Sequence, residues 1–120
     1  MIQLQLSGRK YEISPEIAKY VRQKLGKLDK YIPHSHPARG MTVEIFRDPS
    51  GREDNRYKVT AILDVPGQEI VAETATINPH AAIDIVEAKL KDQIRKYKDK
   101  HKPKRFRVKE MFGRSQDSQN

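Results

Sequence analysis

The residues with chemistry to offer are cations, and they crowd into one stretch. From Lys89 to Lys109, eleven Lys/Arg stand against Asp92 and Asp99, a local charge of +9; the whole chain is +8, so the remainder sums to −1. Ammonium and guanidinium groups at this density neutralise phosphates, and release of condensed counterions supplies the affinity. A lysine is a point charge without a planar fork, so it follows a sugar–phosphate backbone more readily than it reads a base. The competing reading is a lysine-rich face that only keeps the protein in solution. The concentration of charge on one segment weighs against it.

A helix positions these cations. Asn78 suits an N-cap, and Pro79 suits the first helical position, where its missing N–H costs nothing. Ile83, Val86, Leu90, Ile94 and Tyr97 follow at spacings of 3, 4, 4 and 3 and form one apolar stripe. At about 100° per residue, Lys91, Arg95, Lys98 and Lys102 fall along one flank of that stripe. Lys89, Lys96 and Lys100 fall along the other. The spacing predicts a helix that docks by its seam and holds a row of cations out on either side.

Other chemistry is thin. His34 and His36 offer two imidazoles in a proline-bounded loop, with His80 and His101 distant, and zinc needs three or four convergent ligands. A solvent-exposed loop is the simpler reading, so no metal is expected. Glu44, Asp48, Glu53 and Asp54 are explained by strand alternation and a polar hairpin loop. There is no Gly-rich phosphate loop, nucleophile elbow or HExxH. An enzyme, a cofactor and a small-molecule substrate are all unexpected.

The 120 residues make one domain, read as a folded unit 1–109 with a basic extension and a polar, disordered tail 110–120. Cysteine is absent, which excludes disulfides and thiolate metal sites and fits a reducing, cytoplasmic setting. No apolar run is long enough to span a bilayer, and the alternating MIQLQLSGRK does not read as a signal peptide. A pI near 9.8 points to a polyanion as partner.

Along the chain, Ile2, Leu4 and Leu6 alternate with polar residues as a strand that Gly8 ends. Ser14-Pro15 starts a first helix over 15–31, with the stripe Ile17, Val21, Leu25, Leu28 and Ile32. Arg22, Lys24 and Lys27 are among its cations. A second strand covers 41–47, a third carries Val59, Ala61 and Leu63, and Pro66-Gly67 suits a type II turn. The fourth strand follows over 68–76, with Ile70 and Ala72 inward. The order β-α-β-β-β-α predicts an α+β two-layer sandwich: a four-stranded mixed sheet, first two strands parallel, with both helices on one face. Aromatic residues are few and no RNP-like strand motif is present, so base stacking on an open sheet is not expected.

The segments LSGRKYEIS, PEIAKYVRQKLGKLDKY and AAIDIVEAKLKDQIRKYKDKHK together resemble the ribosome hibernation promoting factor and ribosome-associated inhibitor family, over residues 1–102. The resemblance implies a β-α-β-β-β-α fold. It also implies a non-catalytic translation inhibitor that binds the small ribosomal subunit and its ribosomal RNA over the mRNA and tRNA sites. Lys89, Lys96, Lys98 and Lys100 match the family's basic positions on the second helix, and Lys24, Lys27 and Arg22 those on the first. Asp92 stands where the family commonly has arginine, and Asn78-Pro79-His80 where it usually has Asp-Met-Tyr. The rival functions are a general double-stranded RNA-binding module and a metal-dependent nuclease.

Overall fold

A computed structural model of the protein describes residues 2–52 and 55–100. Its elements are β1 (Leu4–Arg9), α1 (Pro15–Leu25), a 3₁₀ segment (Gly26–Tyr31), β2 (Gly40–Arg47), β3 (Tyr57–Val65), β4 (Gln68–Thr76) and α2 (Pro79–Lys100). The basic extension after Lys100 and the tail 110–120 lie outside the described residues.

Both helices begin as their sequences dictate. The Ser14 hydroxyl accepts from the Ile17 N–H at 3.1 Å, and the Asn78 side-chain oxygen accepts from the Ala81 N–H at 2.8 Å. In each case a proline follows the cap, where no N–H is needed. The first helix departs from expectation: regular α structure ends at Leu25, and the chain tightens into 3₁₀ geometry over Gly26–Tyr31. The Gly26 N–H still bonds back to the Arg22 carbonyl, and tightening of this kind is common at a helix C-terminus. Leu28 and Ile32 remain buried, so the stripe survives the change of pitch.

The sheet order is β1-β2-β3-β4. β1 and β2 are parallel, with Leu4 opposite Met41 and Leu6 opposite Val43. β2–β3 and β3–β4 are antiparallel, pairing Val43 with Ala61 and Ala61 with Ala72. β1 continues through Gly8 to Arg9, so the glycine does not end the strand. Backbone pairing of Gly8 with Ile45 holds it there. Gly67 has φ of 89°, the positive value a type II turn needs at its third position and a side chain resists.

The alternating inward residues of β2, β3 and β4 and the stripes of both helices form one core, including Val43, Ile45, Leu63, Ile70, Leu90 and Ile94. All five stripe positions of α2, from Ile83 to Tyr97, are buried. Truncating one of them, as in Leu90→Ala, is expected to cost about 2–5 kcal/mol from lost transfer energy and a residual cavity. Among the described residues the sheet's opposite face is uncovered, and it is largely polar, with Phe46, Ile62 and Val71 as apolar exceptions. There the Arg9 guanidinium lies 3.7 Å from the Phe46 ring centroid, and Lys58 pairs with Glu73 at 3.4 Å.

Candidate nucleic-acid interface

Burial of the α2 stripe determines where its cations go. Lys89, Lys91, Arg95, Lys96, Lys98 and Lys100 are all exposed, and they separate onto the two flanks predicted from spacing. Lys91, Arg95 and Lys98 line a cleft with Ala88 and Tyr31, on the side of α1 and the 3₁₀ segment. Lys89, Lys96 and Lys100 line another with Gln68 and Glu73, over the free edge of β4. Lys102 lies outside the described residues.

The two rows differ in how firmly they are held. On the β4 side, the Lys89 ammonium donates to the Glu73 carbonyl at 2.8 Å, and Lys100 to the Gln68 side chain at 2.8 Å. Between them the Gln93 amide donates to the Val71 carbonyl at 2.5 Å. Lys89 and Gln93 thus cap backbone carbonyls on the open edge of the sheet, which would otherwise be a template for another strand. An ammonium has three donors, so Lys89 can hold Glu73 and still present hydrogens to an anion. On the other side Lys98 makes no ion pair among the described residues, while Lys91 lies 3.8 Å from Glu87.

Asp92 stands on the crest between the rows. Its carboxylate bonds the Arg95 guanidinium and lies 3.3 Å from the Lys96 ammonium. One acidic residue therefore touches a cation from each row and lowers the potential of the face at its centre.

The first helix contributes less uniformly than its sequence implies. Lys24 points at α2, 3.4 Å from Glu87 and 3.7 Å from Asp84. The Glu87 carboxylate holds the Lys24 ammonium above its ordinary pKa. Tyr20, one turn earlier, donates to Asp84 at 2.5 Å, and that bond holds its phenol above the ordinary value. Arg22 is exposed and lies about 200° around the helix from Lys24, so it faces away from α2. Lys27 is exposed in the 3₁₀ segment. Lys24 and the α2 cations are thus brought together, but through shared carboxylates, while Arg22 is not brought to them.

Sequence reading passed over Tyr31, Gln93, Asp84 and Glu87. The available signal was an aromatic residue beside Lys30 with no place in the apolar stripe. His34 and His36 lie in the loop before β2, and His80 packs edge-on against Tyr20 at 4.8 Å between centroids. Among the described residues no group of three or more His, Cys, Asp or Glu could hold a metal ion. No helix among them is long and apolar enough to cross a membrane. His101, Glu53 and Asp54 lie outside the described residues.

A four-stranded sheet covered on one face by two helices, the second bearing two exposed cationic rows, defines a small α+β domain with a surface suited to a polyanion. A family model described as sigma 54 modulation protein / S30EA ribosomal protein matches residues 4–102, and the chain belongs to that family. It is 38% identical over 102 residues to a ribosome hibernation promotion factor of Deinococcus radiodurans, covering 84% of this chain and 51% of that one. To the corresponding factor of Lactococcus lactis it is 35% identical over 98 residues, covering 82% and 50%. The chain thus spans about half the length of these two relatives. A ribosome hibernation promoting factor of Pseudomonas putida, 31% identical, is covered over 89% of its length. The fold is similar to the crystal structure of the Thermus thermophilus Protein Y N-terminal domain, with a TM-score of 0.61 and 26% identity over 81% of this chain and 99% of that one. A ribosomal subunit interface protein from Coxiella burnetii has the same fold, with a TM-score of 0.66 and 22% identity over 82% and 99%.

Proposed function

We propose that the protein is a ribosome-binding hibernation factor that inhibits translation by occupying the mRNA and tRNA sites of the small ribosomal subunit. The observation that carries the reading is the pair of exposed cationic rows on α2, in a chain whose relatives are named for ribosome hibernation. The mechanism is steric and not catalytic. The rows seat on ribosomal RNA phosphates, and the body of the domain fills space that mRNA and tRNA would take. Counterion release supplies most of the affinity, so binding falls steeply with salt. The factor acts in the cytoplasm, where ribosomes are, and suits a stress response in which they stand idle.

Sucrose-gradient sedimentation tests this directly. The protein is expected to travel with the small subunit and with idle whole ribosomes, and to stay at the top with the isolated large subunit. Equal binding to both subunits would reduce the activity to unspecific polyanion affinity. Binding short RNA duplexes as tightly as small subunits would favour a general double-stranded RNA-binding module instead.

A further inference from the structure

The cleft between the 3₁₀ segment and α2 joins a fan of cations to a feature that backbone neutralisation alone does not need, an exposed aromatic ring. Tyr31 closes the 3₁₀ segment at 39% exposure, while Leu28 and Ile32 on either side are buried. Its ring has the Lys30 ammonium 5.2 Å and the Lys91 ammonium 5.6 Å from its centroid. Lys91, Arg95 and Lys98 follow at i, i+4 and i+7 along the opposite wall, a row rising about 10 Å. Ala88 keeps that wall low, and the cleft encloses about 450 Å³. Asp92 at the rim bonds the Arg95 guanidinium and limits where it can swing.

We propose that this cleft takes an unpaired nucleotide, with its base stacked on the Tyr31 ring and its phosphates on Lys91, Arg95 and Lys98. The chemistry selects the ligand. A ring surrounded by cations fits a group that carries a π-face and a negative charge together. Every base has that face, so the contact needs no particular sequence. A cation over an exposed ring is held less tightly than a stacked base, and long lysine stems swing aside easily, so Lys30 and Lys91 yield the ring to the base and turn to its phosphates. Stacking then belongs to the helix side of the molecule and not to the open sheet. The inference rests on the reading of the α2 face as an RNA-binding surface, and adds that this surface engages single-stranded RNA through a base.

Fluorescence anisotropy with a labelled oligouridylate, and with an abasic oligomer of the same length, tests it on the full chain. Tyr31→Ala is expected to weaken oligouridylate about tenfold while changing the abasic oligomer by less than about twofold. Tyr31→Phe, which keeps the ring, should bind both as the wild type does. Tyr31→Leu, which keeps bulk without a π-face and guards against a folding defect in the alanine variant, should behave like Tyr31→Ala. Equal losses on both oligomers, no loss on either, or displacement of oligouridylate by polyglutamate as readily as by RNA would overturn the proposal. Ribosome sedimentation in parallel separates the two readings. Wild-type protein that pellets with small subunits, beside a Tyr31→Ala variant of unchanged oligomer affinity, sinks the stack and leaves the ribosome reading standing.

Discussion

The Lys24 ammonium of α1 lies 3.4 Å from the Glu87 carboxylate of α2, across the seam between the two helices. Glu87 also approaches Lys91 at 3.8 Å, so one carboxylate serves a cation from each helix. A residue expected from its sequence to bind phosphate is, in space, half neutralised by its own protein.

Lys24→Ala is therefore expected to reduce ribosome affinity less than Lys27→Ala, whose ammonium is exposed. Each phosphate contact removed should lower the slope of log affinity against log salt by about one. Lys27→Ala should show that full change and Lys24→Ala a smaller one. Glu87→Gln should raise affinity. Salt titrations of co-sedimentation measure all three, and equal losses from the two lysine variants would contradict the seam.

Lys89 and Lys96 should separate binding from stability. Lys96→Glu is expected to weaken ribosome binding while changing stability by no more than about 0.5 kcal/mol, as ordinary surface substitutions do. Lys89→Glu should weaken binding too, but lower the melting temperature further. Its carboxylate would face the Glu73 carbonyl that the ammonium now satisfies. Thermal melts that rank the two the other way would remove the edge-capping role of Lys89.

Asp92 divides the cationic face, touching both Arg95 and Lys96. Asp92→Asn should raise ribosome affinity, and Asp92→Arg should raise it further and steepen the salt slope by about one. The lost surface pairs cost only about 0.3–0.5 kcal/mol each, so the fold should tolerate either change. Unchanged affinity at low salt would place Asp92 outside the contact.

Alkaline pH should destabilise the fold through its tyrosines. Burial pushes the Tyr97 and Tyr11 phenols above their ordinary pKa, and the bond to Asp84 does the same for Tyr20. A folded-state pKa raised above the unfolded one means stability fully present below about pH 10 and lost as pH rises through the folded value. Melting temperatures should hold to about pH 9 and then fall. Tyr97→Phe should soften that alkaline fall. At neutral pH it should cost about 1 kcal/mol for the lost 2.8 Å bond to the Pro66 carbonyl.

Competition tests the mode of inhibition. Initiator tRNA with mRNA should relieve inhibition in an in-vitro translation reaction, because ligands sharing one site lower each other's apparent affinity. RNA should remain intact on a denaturing gel, and His34→Ala with His36→Ala should inhibit as the wild type does. Shortened RNA that depends on either histidine would replace the steric plug with a nuclease.

Short-range properties were legible in the sequence. The stripes of both helices, the inward residues of β2, β3 and β4, the two capped helix starts and the Pro66-Gly67 turn follow from spacing and backbone sterics within a few residues. The separation of α2 cations onto two flanks follows as well, because a helix fixes angles between its own side chains. What neighbours those flanks meet was decided only by tertiary packing. The seat of α1 against α2 sets Lys24 between Asp84 and Glu87, and the 3₁₀ tightening after Leu25 carries Tyr31 to the row of Lys91, Arg95 and Lys98. Docking of α2 beside β4 puts Lys89 and Gln93 on the edge carbonyls. The physical reason is range. Periodicity is a property of one segment, but the field at a charge is set by groups from distant segments that approach within a few ångströms only once the core has closed.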